Sequence, residues 1–159
     1  MSTLVERSNR SITVDRNVEV AKRLVEGFFH QVNPTAADET IDENIVATTG
    51  LSPTGQIQGR EAYKQAFLEF AQAFPFKSFT IDEIFGMEDR VVVRLTAVAT
   101  HAQDYFGVAA TQREIVLKEI HLMRIENGKI VENIVSATNL EFEMLMAPVL
   151  APLILDEPK

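Results

Sequence analysis

The stretch Glu114–Thr138, EIVLKEIHLMRIENGKIVENIVSAT, decides the fold of this chain. Its centre, Asn127-Gly128, supplies the two positive φ angles of a two-residue hairpin turn, and both flanks are rich in Ile, Val and Leu. The flanks therefore read as adjacent antiparallel strands. Pairing outward from the turn sets Glu126 against Lys129, Ile125 against Ile130, Met123 against Glu132 and His121 against Ile134. The same register sets Glu119 opposite Ser136 and Leu117 opposite Thr138, since paired residues point to one side of a sheet. One face then gathers Leu117, Glu119, His121, Met123, Ile134, Ser136 and Thr138. The other gathers Val116, Lys118, Ile120, Leu122, Arg124, Val131, Asn133, Val135 and Ala137. Both faces are mixed in polarity, which predicts a pocket on one side and a subunit contact on the other.

Upstream, residues 90–101, RVVVRLTAVATH, and the alternating residues from Ser78 to Phe85 predict two more strands joined at Glu88-Asp89. Residues 102–110 form the loop between them and the hairpin. Before Ser78 the period is that of a helix. Ala62, Tyr63, Ala66, Phe67, Phe70, Ala71 and Phe74 share one face between Gly59 and Pro75. Val18, Ala21, Leu24, Val25, Phe28, Phe29 and Val32 share another, from an N-cap at Asp15 to about Gln31. Asn33-Pro34 stops that first helix, and ADETIDENIV predicts a short second one. Residues 48–59, with three glycines and a proline, read as an irregular loop over the surface or across a cavity mouth. Residues 1–14 carry too little apolar surface to order themselves and read as a disordered or extended tail. Residues 15–147 form the domain, ending in a short helix over 139–147, and 148–159 are an apolar tail. Helices first and hairpin-connected strands after them argue for an α+β fold, a curved antiparallel sheet covered by the early helices.

Composition narrows the function. The 159 residues carry a formal net charge of −8 and no cluster of Lys and Arg, so a nucleic-acid partner is disfavoured. Cysteine is absent, which removes thiolate nucleophiles, disulfides and Cys-based metal sites. Three dispersed histidines without HExxH or EF-hand spacing do not make a metal site, and no G-x-S-x-G, P-loop or dinucleotide fingerprint is present. The expectation is a protein with no metal and no cofactor. No apolar run reaches the ~18–20 residues of a membrane span, and the N-terminus lacks the apolar stretch of a signal peptide, so the expected location is cytoplasmic, away from membranes.

The segment EIHLMRIENGKIVEN resembles the H-x-x-R-x-x-(D/N)-G-K-I-x-E stretch of the SnoaL-like polyketide cyclases, within the NTF2-like superfamily. GREAYKQAFLEFAQAFP followed by DRVVVRLTAVATH resembles that family's preceding helix and strand, and the likeness spans roughly residues 17–147. It implies a cone in which helices pack on the concave side of a strongly bent antiparallel sheet and enclose an apolar pocket. It also implies dimerisation through the sheet. Relatives with cyclase activity close a ring by intramolecular aldol condensation, without metal or organic cofactor, using an acidic residue on the last strand. The resemblance places that position at Thr138, which cannot act as a base at neutral pH. Where cyclases read E-H-W, this chain has Glu132, Asn133 and Ile134.

Among the residues themselves, His121 is the first catalytic candidate, because imidazole exchanges protons near neutral pH, with Glu119 two residues away to raise its basicity. The expected ligand-binding residues are His101, Tyr105, Ile134, Ser136, Thr138, Leu117, Met123 and Phe70. His30 is expected to serve the end of the first helix. Two readings stay open: a cofactor-independent cyclase or isomerase that transfers protons on a small apolar carbonyl or polyketide-like compound, or a non-catalytic small-molecule-binding or dimerisation module. A homodimer is expected from the mixed sheet faces and the apolar tail.

Overall fold

The computed structural model describes residues 3–52 and 54–155. In chain order these form α1 (Leu4–Arg23), a π-helical continuation (Leu24–His30), α2 (Pro34–Thr40), β1 (Ile41–Thr48), β2 (Gln56–Gln58) and α3 (Arg60–Ala73). Then come β3 (Phe76–Met87), β4 (Arg90–Thr100), β5 (Glu114–Glu126), β6 (Lys129–Ala137) and α4 (Leu140–Leu155). One six-stranded sheet runs β2-β1-β6-β5-β4-β3. Its neighbours are antiparallel except β1 and β6, which run parallel. The α+β arrangement predicted from the sequence is therefore present, with one parallel pair in place of a wholly antiparallel sheet.

That pair corrects the reading of ADETIDENIV, whose first residues finish α2 and whose remainder is strand. Ile41, Ile45 and Ala47 are buried at period-2 positions or close to it, and docking beside β6 overrides the segment's weak helical preference.

The first helix begins at Leu4, not at Asp15. A capping box starts it: the Glu6 amide donates to Thr3 Oγ1 at 3.2 Å, and the Thr3 amide donates to the Glu6 carboxylate at 2.7 Å. Residues 3–13 are exposed, so local capping rather than burial orders the segment expected to be a tail. Packing begins further along, where Val14 and Val18 close over Gly86 of β3, so that a Cβ there would lie 3.0–3.1 Å from their methyl groups and push them aside. At the other end, α4 continues past residue 147 and through Pro148 and Pro152. Residues 1–2 and 156–159 of the two expected tails lie outside the described residues. No helix among the described residues is long and apolar enough to cross a membrane.

The core lies between the inner face of the sheet and the helices. Val91, Val93, Leu95, Ala97 and Ala99 of β4 are buried, as the alternation of RVVVRLTAVATH requires. From α3 come Tyr63, Phe67, Phe70 and Phe74, spaced 4-3-4 along one helical stripe. The π turn buries Leu24, Val25, Gly27, Phe28 and Phe29 together, a wider arc than an α-helical turn presents. Gly27 allows this because a Cβ there would meet that of Ala36 in α2 at 2.6 Å.

The decisive hairpin forms as read only for its first two pairs. Asn127 and Gly128 have φ of 50° and 75°, and Glu126 pairs with Lys129 and Ile125 with Ile130. Beyond them a β-bulge at Val131 shifts the partners by one, so Arg124 meets Glu132, Met123 meets Asn133, His121 meets Val135 and Glu119 meets Ala137. Electrostatics explains the bulge. Without it the Glu132 carboxylate would enter the core, at a cost of several kcal/mol if unpaired. With it, Glu132 turns outward to Arg90 and Arg124, each at 3.7 Å.

Candidate active site

A cavity of about 560 Å³ opens between the sheet and its helical cover. Leu95, Leu117, Val135 and Ala137 supply its sheet wall, and Phe29, Tyr63, Phe67 and Phe70 its helical wall. Residues Thr49, Gly50, Leu51 and Ser52 of the Gly-rich loop and Phe142, Ala147 and Ala151 of α4 close the sides. The loop is thus at the cavity, one of the two places its composition allowed, but it is shorter than the expected 48–59, because Thr48 ends β1 and Gln56–Gln58 form β2.

The seat of α4 follows from the end of β6. Where that strand stops, the β5 amides of Lys118 and Val116 would lose their partners. Asn139 Oδ1 accepts from Lys118 at 2.6 Å and the Glu141 carboxylate accepts from Val116 at 2.6 Å. Side chains thus replace the missing strand and hang the helix against the cavity.

Polar chemistry is concentrated in one hydrogen-bonded chain along the sheet wall. Asn133 Nδ2 lies 2.8 Å from the Tyr63 hydroxyl and 3.0 Å from His121 Nδ1. His121 Nε2–H donates to Glu119 Oε2 at 2.9 Å, and Asn139 Nδ2 donates to Glu119 Oε1 at 3.1 Å. The Phe29 ring lies against the imidazole, centroids 5.4 Å apart. His121 is 3% exposed and both ring nitrogens are engaged. Glu119, by contrast, keeps a quarter of its side chain accessible and lines the cavity.

Burial alone would push the Glu119 carboxyl up. The hydrogen bond from His121, its positive charge whenever the ring is protonated, and the Asn139 amide overcome it and hold the carboxyl below its ordinary value. Glu119 is therefore ionised at neutral pH. Burial pushes the Tyr63 phenol far above the ordinary value for tyrosine, the Asn133 bond opposing it only in part, so it stays a neutral O–H.

Of the residues singled out from sequence, His121, Glu119, Leu117 and Phe70 line the cavity. Met123 is on the same face but lies wholly in the core. The bulge puts Ile134, Ser136 and Thr138 elsewhere: Ile134 and Ser136 point to the outer face, and Thr138 follows the end of β6, all three exposed. His101 is wholly buried away from the cavity, stacked on Phe74 at 4.7 Å, with Nδ1 accepting from the Thr111 amide at 3.2 Å. Tyr105 packs against Phe70, Phe74 and Phe142 without lining the cavity. Burial, with the nearby Glu69 charge, raises its phenol to about 12. His30 lies in the last turn of its helix, where its ring stacks on Phe79 at 5.0 Å. Asn133, Asn139 and Tyr63 were not singled out. The turn-based register turned Asn133 outward, and only the pairing of an unshifted Glu132 with the core hinted otherwise. Among the described residues no group of three or more His, Cys, Asp or Glu side chains is placed to hold a metal ion.

The sequence profile of the SnoaL-like polyketide cyclases matches residues 19–143. The chain belongs to that family. Solved structures share the fold of this SnoaL-like protein at low identity. A protein from Jannaschia sp. CCS1 assigned as a SnoaL-like polyketide cyclase is 17% identical, with a TM-score of 0.72 over 87% of this chain and 94% of that one. IdmH from Streptomyces antibioticus, assigned as a polyketide cyclase, is 22% identical, with a TM-score of 0.67 over 82% and 98%. An NTF2-like protein from Burkholderia pseudomallei K96243 is 20% identical, with a TM-score of 0.64 over 82% and 96%. No curated protein matches the sequence. Within this SnoaL-like domain the inward-facing residues of the last strand are Ile130 and, beyond the bulge, Asn133, Val135 and Ala137, so the carboxylate at the sheet wall comes from β5.

Proposed function

We propose that this SnoaL-like protein binds a small, largely apolar carbonyl compound in the cavity and moves a proton on it, with Glu119 as the base. The observation that carries this reading is the asymmetry of the Glu119–His121 pair. Both side chains border the cavity, but a quarter of the carboxylate side chain is accessible, while the imidazole is nearly wholly covered and both its nitrogens are occupied. In this reading His121 positions Glu119 and has no free nitrogen to offer the ligand, so the roles expected from sequence are exchanged.

In the proposed step a C–H bond next to the carbonyl breaks, its proton passes to a Glu119 oxygen, and its electron pair becomes an enolate. Tyr63 accepts a hydrogen bond from Asn133, which leaves its own O–H to be donated to the enolate oxygen. Attack of the enolate carbon on a second carbonyl closes a ring, and the Glu119 proton goes to the new alkoxide. Return of the proton to another carbon gives isomerisation. Neither route needs a cofactor. The reading of a non-catalytic binding module is favoured by one observation, the absence of an acid among the inward residues of β6.

Filling the cavity tests the ligand half. Cyclic and 1,3-dicarbonyl compounds are expected to raise the thermal midpoint of the wild type, and Ala137→Phe, which occupies the sheet wall, is expected to abolish that rise. An undiminished rise in a folded A137F protein places the ligand elsewhere.

The outer face of the sheet carries Val116, Ile120, Leu122 and Ile134, each 36–46% exposed, flanked by Arg90, Arg94, Arg124, Asp82, Glu83 and Glu132. An apolar centre with charges of both signs around it is self-complementary, and we propose that it joins two copies of the chain. Light scattering at micromolar concentration should give twice the chain mass, falling to one with Leu122→Glu. A monomeric wild type would overturn this.

A further inference from the structure

Asn133 is wholly buried, and its Oδ1 has no hydrogen-bond partner among the described residues, although Nδ2 has two. A carboxamide is nearly symmetrical in shape. A half turn about its last bond exchanges oxygen and nitrogen without disturbing the packing around it. The two orientations make opposite demands on the neighbours. With Nδ2 toward His121, Nδ1 must offer a lone pair, so the ring is neutral and its single proton sits on Nε2, donated to Glu119. With Oδ1 toward His121, Nδ1 must carry a proton. The ring is then an imidazolium facing the Glu119 carboxylate.

Each orientation strands one end of the amide, Oδ1 in the first and Nδ2 in the second. The hydrogen-bond count therefore favours neither, and the proton on His121 decides. The groups that face the ring are few. Tyr63 comes from α3, Phe29 from the π turn, Val93 from β4, Asn133 and Val135 from β6, and Glu119 from its own strand. Glu119 holds its carboxylate toward Nε2 in both states, so only Asn133 can answer a change at Nδ1.

We infer that Asn133 is a positioning residue whose side-chain amide turns with the protonation of His121 and thereby decides whether the Tyr63 hydroxyl serves the ligand or the protein. In the first orientation Tyr63 accepts from Nδ2 and its proton is free for a ligand oxygen. In the second it donates to Oδ1 and that proton is taken. A carbonyl ligand bound to Tyr63 thus holds His121 neutral, and a proton on Nδ1 withdraws the phenol from the ligand. The ligand clause rests on the proposed function, whereas the turn of the amide does not.

The test uses the resting protein labelled with 15N, with His121 identified by its contact with Phe29. At pH values where the ring is neutral, Nδ1 should give the signal of a bare nitrogen and Nε2 that of a protonated one. On acidification Nδ1 should become protonated, and the Asn133 side-chain amide and Tyr63 ring signals should move with the same midpoint. Asn133→Asp, which offers only acceptors, should keep the ring doubly protonated to a pH higher by about one unit or more, a tenfold or greater shift. A neutral ring with its proton on Nδ1, Asn133 signals that ignore the His121 titration, or an unmoved midpoint in N133D would each overturn the inference. If N133D does not fold, the two wild-type signals decide. Failure of the Glu119 base reading would leave these spectra unchanged, so the two claims fail separately.

Discussion

Glu119→Gln is expected to abolish exchange of the hydrogens next to the carbonyl of a bound ligand. A positioned general base contributes about 10²–10⁴-fold, so exchange followed by deuterium uptake should fall by that factor. The amide keeps the shape of the carboxylate and its oxygen can still accept from His121, while its nitrogen faces the Asn139 donor in place of an acceptor; ligand affinity should stay within about threefold, about 0.65 kcal/mol. Separating the two quantities is what distinguishes a base from a binding group. A variant that binds and exchanges as well as the wild type would show that Glu119 is not the base. One that loses both would make Glu119 a ligand contact.

The second large effect is expected from His121→Leu, read as stability against pH. In the wild type the Glu119 carboxyl is held below its ordinary value, so its contribution is complete above the ordinary carboxylate range and is lost as pH falls through the lowered value. Removing His121 removes the two largest influences that lower it and leaves burial, which raises it. The sign of the contribution then reverses. The variant should be destabilised at neutral pH, where a buried carboxylate has lost its partner, and should recover relative to the wild type once the carboxyl protonates. Breaking a buried pair costs about 3–5 kcal/mol, and the lower end applies because a quarter of the Glu119 side chain is accessible. At about 2–4 °C per kcal/mol for a chain of this size, the midpoint at pH 7 should fall by roughly 6–12 °C. Equal losses at pH 7 and pH 4 would show that the imidazole acts only by filling space.

The fold was legible because its main elements announce themselves locally. The helical period of Tyr63, Phe67, Phe70 and Phe74 ends at Pro75 and gives way to strand alternation, clearest in Val91, Val93 and Leu95 of β4, and Asn127-Gly128 turns the chain without tertiary help. Half of the site was legible for the same reason. Leu117, Glu119 and His121 share a face by strand geometry alone. The remainder hung on the register across the turn, and one residue of bulge at Val131 exchanges the faces of β6. It brings in Asn133, Val135 and Ala137, and it sends Ile134 and Ser136 outward. Nothing in the turn foretells that step. Its cause is the charge of Glu132, which is settled only when Arg90 on another strand is placed beside it. His101 and Tyr105 missed the site for a different reason. The loop after β4 folds back under Phe74 and Phe142, so residues that looked like a rim became part of the packing.

The hydrogen-bonded chain of the cavity runs from Glu119 and His121 on the sheet wall to Tyr63 on the helical wall, where its neighbours are phenylalanines. A flat enolate seated there would meet the carboxylate on one of its two sides only, with its oxygen fixed toward Tyr63. Under the proposed chemistry any new stereocentre would form with a single handedness, set by the backbone before a ligand arrives.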